Sequence, residues 1–177
     1  MAGQRLTDKT ALEQQAGSGD LLMVVDVNDT TGSSAGTSKK MDFKYVIQTD
    51  KFTLSNADIQ ALNTTPKTLV GALSGYMVTP FNVTILTTYA SSNETSAANL
   101  YVGYDSSQDL LFWEKITRFM YNITTSNTYV QGGAVSGAAG SYAASIINRP
   151  LEMWSNSAFN GGWSADVYVT YAYTKVL

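Results

Sequence analysis

The sequence contains no cysteine and no histidine. Without cysteine, the chain can form neither a disulfide framework nor a thiolate metal site, so packing or oligomerisation must supply its stability. Without histidine, it cannot assemble a Ser-His-Asp or Cys-His relay, and it lacks the side chain that most general-base sites use at neutral pH. These two absences exclude several large classes of enzyme and favour a non-enzymatic protein.

Charged residues are also scarce. They form 14% of the chain, against about 25% in an ordinary soluble domain. The net charge is −3, and Lys39 and Lys40 form the only adjacent basic pair. Proteins hold nucleic acid through clustered lysine and arginine side chains, so we expect no nucleic-acid partner.

The sequence has no long hydrophobic run. Its longest, from Leu21 to Val25, is far shorter than the roughly 20 residues that a membrane-spanning helix needs. Residues 1–15 are polar and lack the apolar segment of a signal peptide. We therefore expect no membrane insertion, and synthesis in a cytoplasm without export by the general route.

Most of the chain has the pattern of β-strands. Hydrophobic residues make up 44% of 177 residues, enough for one sizeable core. Short apolar segments alternate with polar loops, and the expected strands lie at 69–73, 77–89, 99–104, 110–116, 119–124, 128–131, 145–154 and 165–173. About eight such strands predict an all-β, jelly-roll-like β-sandwich. Residues 132–141 are small and predict a long mobile loop.

Three local elements are expected before these strands. Residues 6–15 predict a short helix, with Thr7 at its N-cap and Gly17 at its C-cap. A β-hairpin is expected from strands at 20–27 and 39–47, joined by a turn-forming stretch. Finally, Ser55 and Asp58 have the spacing of a capping box and predict a helix start.

The second strand of the hairpin is predicted to have two unlike faces. Alternation places Met41, Phe43, Tyr45 and Ile47 on one side, with charged residues on the other. A two-stranded hairpin cannot bury such a stripe by itself. These four residues are therefore the candidate anchoring residues, and they need a partner surface.

Three possible catalytic or metal sites are weighed and set aside. The series Asp26, Asn28, Thr30 begins like a calcium loop, but the glycine falls one place late and the final glutamate is missing. Ser74 lacks the spacing of a nucleophile elbow. Six carboxylates could in principle supply a glycosidase pair, but no spacing selects two, so we expect solvated charges; they are Glu94, Asp105, Asp109, Glu114, Glu152 and Asp166. The sequence predicts no catalytic residue, metal ligand or cofactor.

The aromatic residues leave one binding hypothesis open. Most lie at alternating strand positions and are expected to fill a core or a subunit interface. Phe159 and Trp163 lie in a glycine-containing loop at 156–163 and are expected to be exposed. These two side chains are the candidates for contact with a ligand such as a host-surface glycan.

Residues 19–40 resemble a module near the N-termini of many tail-fibre and head-fibre proteins of tailed bacteriophages. The shared elements are Val-Asp-Val at 25–27, Asp-Thr-Thr at 29–31 and Gly-Thr-x-Lys-Lys at 36–40. Residues 54–70 are similar to a stretch that opens β-sandwich domains in phage virion proteins. The closing Pro-Leu segment at 150–154, the Gly-Gly turn at 161–162 and the strand at 167–171 fit the same pattern.

The resemblance implies a structural protein of the virion, synthesised in the cytoplasm of a bacterial host. It implies a virion-anchoring segment at 1–52 and a projecting jelly-roll-like sandwich at 53–177. Since the hairpin runs almost directly into one domain, we expect a capsid head fibre or decoration protein. A small anchor favours a homotrimer bound to the major capsid protein or to a tail component. The alternatives are a tail fibre, a carbohydrate-binding receptor module and, less favoured, a depolymerase.

Overall fold

A computed structural model describes residues 21–42, 46–104, 106, 112–126, 128–132 and 146–176. The chain divides into two compact units, residues 1–46 and residues 47–177. Within the described residues there are ten strands and one helix: β1 (Leu21–Asp26), β2 (Thr37–Asp42), β3 (Gln48–Leu54), α1 (Asn56–Ala61), β4 (Lys67–Val70), β5 (Tyr76–Tyr89), β6 (Leu100–Gly103), β7 (Phe112–Ile116), β8 (Thr128–Gly132), β9 (Leu151–Ser155) and β10 (Trp163–Lys175). None of the described residues belongs to a helix that is long and apolar enough to cross a membrane.

Strands β3 to β10 pair as a nested set. Each pair is antiparallel: β3 with β10, β4 with β9, β5 with β8, and β6 with β7. Two more antiparallel pairs, β5 with β10 and β6 with β9, complete sheets of order β3-β10-β5-β8 and β4-β9-β6-β7. Such nesting is what results when one long hairpin is rolled into two sheets, which is a jelly roll. The prediction of an all-β, jelly-roll-like sandwich is confirmed.

The core is built by alternation along the strands. In β10, Val167 and Val169 are fully buried, while Tyr168 between them lies on the opposite side of the sheet and is partly exposed. In the other sheet, Val102 and Leu151 are fully buried, and both belong to the same apolar cluster as the β10 valines. One continuous core therefore draws on both sheets.

Helix α1 starts as the capping-box spacing predicts. The Ser55 side chain accepts a hydrogen bond from the Asp58 backbone N–H, and the Asp58 carboxylate accepts one from the Ser55 backbone N–H. Ile59 and Leu62 bury themselves in the core at the end of this short helix. The capping-box spacing was sufficient to predict the start of α1, because both capping partners lie within four residues of each other.

The boundary between the two units falls at 46/47, not at the predicted 52/53. Residues 48–54 form β3, and seven of its residues pair with β10 in the sandwich. The expected hairpin strand at 39–47 does not reach residue 47, because residues 46 and 47 are not in a strand. The predicted boundary would therefore cut through an edge strand of the sandwich.

Tyr171 ties the start of β3 to the sandwich. Its hydroxyl lies 2.8 Å from Asp50 Oδ2 and 3.0 Å from Gln48 Oε1, but it has only one hydrogen to donate. Gln48 Nε2 is buried with no partner among the described atoms. Exchanging the amide oxygen and nitrogen of Gln48 resolves both problems, because Nε2 then donates to Tyr171 and Tyr171 donates to Asp50. Burial, followed by the nearby Asp50 carboxylate, raises the pKa of Tyr171.

The strand predicted at 119–124 is wrong. Arg118, Met120 and Asn122 have φ values of 50°, 60° and 55°, which are left-handed conformations incompatible with a strand. Phe119 and Met120 are nevertheless 1% exposed, so this turn carries two core side chains. The predicted helix at 6–15 and most of the predicted loop at 132–141 lie outside the described residues.

The strand pairing predicts how two fragments of the chain behave. A fragment of residues 47–177 should fold as an all-β domain. A fragment of residues 53–177 lacks five of the seven β3 residues and both partners of the Tyr171 hydroxyl. It should be less stable by roughly 2–5 kcal/mol, from several lost hydrogen bonds of about 1 kcal/mol each. Denaturant unfolding followed by circular dichroism measures the difference, and equal midpoints would contradict the pairing of β3 with β10.

Candidate functional site

The N-terminal unit contains an antiparallel hairpin whose loop is held by the residues of the fibre-like module. Strands β1 and β2 pair in register from Leu21 opposite Asp42 to Asp26 opposite Thr37. The Lys39 ammonium lies 2.8 Å from Asp26 Oδ2 and 2.9 Å from Asp29 Oδ2. Both carboxylates are therefore paired with the same lysine.

Hydroxyl groups complete the loop network. Asp29 Oδ1 accepts from the Thr31 hydroxyl at 2.6 Å and from the Thr31 backbone N–H at 3.0 Å. The Thr37 hydroxyl oxygen accepts from the Gly32 N–H at 2.9 Å. These are the module's Asp-Thr-Thr and Gly-Thr elements, so their spacing is explained by the local structure of the turn.

Gly36 is required in this loop for steric reasons. Its φ is +118°, and a Cβ there would lie 2.7 Å from Val25 Cγ1 and 2.8 Å from the Asp26 carbonyl oxygen. Only glycine tolerates both the backbone conformation and the close approach. The carboxylate of Asp26, which would begin the calcium loop, is already paired with the Lys39 ammonium.

The hairpin exposes apolar side chains that the sequence pattern did not single out. Met23, Val25 and Val27 are 71%, 57% and 69% exposed. Met23 and Val25 are two residues apart on β1 and therefore lie on the same face of the sheet. Their cross-strand partners Lys40 and Ser38 lie on that face too. The run from Leu21 to Val25 is continuously apolar, and for this reason alternation could not identify the outward residues.

The predicted anchoring stripe does not lie along a single strand. Met41 lies on β2, opposite Leu22 and therefore on the other face from Met23. Ile47 is 60% exposed, but it lies beyond the end of β2 and within the second unit. Phe43 and Tyr45 lie outside the described residues. The four residues were expected to share one strand because each is separated by two positions, but Ile47 lies in no strand.

The expectation that Phe159 and Trp163 are exposed is wrong. Each is 2% exposed, and both pack against Phe119, with ring centroids 6.2 Å and 5.2 Å away. The three rings meet edge to face, an arrangement that aromatic quadrupoles favour. Two buried rings present no surface on which a sugar could stack, so they give no support to a glycan site.

Glu94 holds in place the loop that carries Phe159 and Trp163. This residue is 1% exposed, although its sequence surroundings suggested a solvated charge. Its Oε2 accepts hydrogen bonds from the Gly161 N–H at 2.9 Å, the Asn160 N–H at 3.0 Å and Trp163 Nε1 at 3.3 Å, while Oε1 accepts from the Ser96 N–H at 2.8 Å. The carboxylate thus joins the β5–β6 loop to the β9–β10 loop. A buried carboxylate needs several such donors to offset its lost hydration.

Among the other predicted carboxylates, Asp105 and Asp109 lie outside the described residues, and Asp166 lies in an ion pair on the sandwich. Asp166 pairs with Lys51 at 2.9 Å and accepts from the Thr53 hydroxyl at 2.7 Å. Both hydrogen bonds lower the pKa of Asp166, and the one from Lys51 has the larger effect. No group of three or more acidic side chains among the described residues could hold a metal ion. Among the described residues, Met23, Val25 and Val27 of the hairpin are three of the six large apolar side chains that remain exposed.

Comparison with known proteins adds structural neighbours of low similarity. No family model matches the chain, and no curated protein sequence does so either. A structure titled as the capsid asymmetric unit of cyanophage Pam1 is 12% identical, with a TM-score of 0.43 and coverage of 97% of this chain and 98% of that one. The acid-stable capsid structure of Helicobacter pylori bacteriophage KHP30 is 12% identical, with a TM-score of 0.43 and coverage of 89% and 99%. The PRD1 vertex protein P5 is 13% identical, with a TM-score of 0.36 and coverage of 96% and 91%. TM-scores below 0.5 do not establish a common fold, and the jelly-roll assignment rests on the strand order.

The loop junction at Glu94 makes Gly161 sensitive to substitution. A Cβ at Gly161 would lie 2.9 Å from both the Glu94 backbone nitrogen and Trp163 Cδ1, whereas a Cβ at Gly71 meets no atom within 4 Å. We expect Gly161→Ala to lower the free energy of unfolding by about 2–4 kcal/mol and the control Gly71→Ala to change it by less than about 0.5 kcal/mol. Chemical denaturation measures both, and two variants of equal stability would contradict the described junction.

The hairpin network predicts a specific pattern of carboxyl titration. The hydrogen bond from Lys39 is the main cause that lowers the pKa of Asp26 below the usual 3.8. The pKa of Asp29 is also lowered, by hydrogen bonds from Thr31 and, with a smaller effect, from Lys39. Because these pKa values are depressed, the network contributes stability above pH 3.8 that is lost as the pH falls through the folded-state values. Carboxyl NMR titration should show both pKa values rising toward 3.8 in Lys39→Met.

Asp58 is the internal control for that titration. Its pKa is also lowered, by Ser55, and should not move in Lys39→Met. If the pKa values of Asp26 and Asp29 were the same with and without Lys39, the ion pairs would not exist in solution.

Proposed function

We propose that this chain is a non-enzymatic structural protein of a bacteriophage virion, in which the N-terminal unit attaches to the particle and the jelly roll projects from it. One observation carries the proposal: the sandwich completes its own core, while the hairpin leaves Met23, Val25 and Val27 in water. Double-sheet jelly rolls are a common architecture of viral capsid domains. The likeness of residues 19–40 to a phage fibre module supports the same role.

The hairpin is suited to bind a protein surface. A lone two-stranded sheet is marginally stable in water, and its exposed apolar side chains gain free energy when a partner covers them. Burying three such side chains at about 1.5–3 kcal/mol each would contribute roughly 4–9 kcal/mol before ordering costs. That range is adequate for a short anchor that many copies use on one particle.

We further propose a short projection, such as a head fibre or decoration protein, assembled as a trimer. The described strands support this choice, because β2 ends at Asp42 and β3 begins at Gln48, which leaves no room for a fibre shaft between the units. A closed symmetric assembly would give three anchors to each projection. The partner of the hairpin would be the major capsid protein or a tail component. Glycan recognition is not part of the proposal, since Phe159 and Trp163 are buried.

Deletion of residues 1–46 should give a folded, soluble protein that is absent from virions. In the full chain, Met23→Asp together with Val25→Asp should reduce the copy number on purified particles at least about tenfold, because two charges would have to be desolvated at the contact. Ser34→Asp is the matched control, since Ser34 is an exposed residue of the same hairpin loop, and its copy number should stay near normal.

Quantitative mass spectrometry of purified virions measures the copy number, and circular dichroism shows that each variant keeps its sandwich. Normal incorporation of the double variant would refute the anchoring role of the hairpin face. Incorporation of the protein lacking residues 1–46 would refute anchoring by the whole N-terminal unit.

A further inference from the structure

We propose that the outward surface formed by β3, β10 and β5, here called the threonine face, is the contact between copies of this chain. The inference rests on the proposed assembly into trimers and assigns it a surface. The face consists of the side chains on these three strands that point away from the core. Threonine is frequent on all three strands, at positions such as Thr49, Thr84 and Thr170.

Four threonine hydroxyls of the threonine face are paired within the chain. The hydroxyls of Thr49 and Thr170 lie 2.9 Å apart across β3 and β10, and those of Thr79 and Thr174 lie 2.6 Å apart across β5 and β10. Burying a polar group costs free energy mainly when it loses its hydrogen-bond partner. A partner surface can therefore cover these hydroxyls and leave their hydrogen bonds intact.

The side-chain amide on this face is paired in the same way. Asn82 Nδ2 donates to the Thr84 hydroxyl at 3.0 Å, and both residues lie on β5. In an ordinary solvated sheet surface, polar side chains can hydrogen-bond to water. Here they form short cross-strand and same-strand pairs, an arrangement that costs less to dehydrate than separately hydrated groups.

The threonine face also has no net charge among its described side chains. Lys51 and Asp166 are the charged residues there, and they pair at 2.9 Å, with Lys51 also 5.7 Å from the centre of the Tyr168 ring. The whole chain has a net charge of −3, so copies repel one another weakly in general. A neutral face is where that repulsion is smallest, which favours a second copy as the occupant over a partner of opposite charge.

Two apolar side chains project from the β5 side of this surface. Phe81 is 43% exposed and Leu86 is 37% exposed, and both lie on β5. Phe81 is the extra residue of a β-bulge, because Thr170 pairs with Asn82 while the next β10 residue, Tyr171, pairs with Pro80. The bulge thus places a large ring beside the neutral hydroxyl surface. Apolar anchors within a polar but satisfied surround are typical of interface centres.

The area is sufficient for a specific contact. Strand β10 has 13 residues. Strand β5 has 14 and β3 has 7, so at about 3.3 Å per residue and 4.8 Å between strands the face covers roughly 540 Å². A specific interface needs about 1,000 Å² or more in total, counting both partners. Two copies that pair their whole faces reach that value. In a trimer each copy would divide the face between two neighbours, so the area buried on each copy is the same and each pairwise contact is about half as large.

The test uses the full chain. The native chain reports the oligomeric state, and variants of the face report whether that surface forms the contact. Sedimentation velocity from about 1 to 100 µM should show an oligomer for the native chain. Phe81→Glu together with Leu86→Glu should shift dissociation to at least about tenfold higher concentration. Thr68→Glu, at an exposed position on β4 in the other sheet, should dissociate as the native chain does.

The absence of native cysteine provides a second readout that does not depend on a disruptive change. Leu86→Cys should be cross-linked between copies by a short bis-maleimide, and Thr68→Cys should not. Circular dichroism establishes that each variant is folded, and the cysteine pair decides the question if the double glutamate variant is not.

The outcomes separate the two proposals. An oligomer that persists in the glutamate variant, with no cross-link at Leu86→Cys, overturns the threonine face and leaves the proposed trimer standing. A native dimer that the glutamate variant loses supports the face and refutes the trimer. A native chain that stays monomeric at 100 µM overturns both. Normal assembly with loss of incorporation into virions would mean that another virion protein covers the face, which also overturns the inference.

Discussion

The placement of β10 between β3 and β5 is the constraint on which the sandwich depends. Residues 163–175 pair with β5 along their whole length and with β3 from Ala165 to Tyr171. The first and last strands of the unit must therefore meet before the sheet is complete. Such long-range pairing costs loop-closure entropy before it yields contacts, so the buried apolar side of β10, with Val167 and Val169 at its centre, has to offset that cost.

Glu94 is a second long-range constraint, because it holds two loops together at one end of the sandwich. Its carboxylate fixes the loop before β10 to the loop before β6, and the ring cluster of Phe119, Phe159 and Trp163 lies beneath it. A charged group would ordinarily be excluded from such a place. It is retained because several backbone and indole N–H groups point at it, which is a geometry that two loops create together and neither creates alone.

The two units differ in which side chains they leave exposed. The hairpin loop satisfies its carboxylates with Lys39 and with hydroxyls close in sequence, and its apolar side chains Met23, Val25 and Val27 remain in water. The sandwich buries most of its apolar side chains, with Phe81 and Leu86 as exceptions, and its outer sheet surface carries hydroxyl groups that hydrogen-bond to one another. One unit is thus suited to attachment through apolar contact, and the other to association without loss of hydrogen bonds.

The sequence by itself determined the features that depend on near neighbours. The alternation in β10, the Ser55–Asp58 capping box and the all-β class follow from spacings of two or three residues, and the structure contains each of them. Only the tertiary structure decided which strand joins which unit, why Phe159 and Trp163 are buried, and that Glu94 is not solvated. The physical reason is that burial depends on partners far away in sequence. Residue 94 meets residues 160–163, and residue 48 meets residue 171, across separations that no local pattern records.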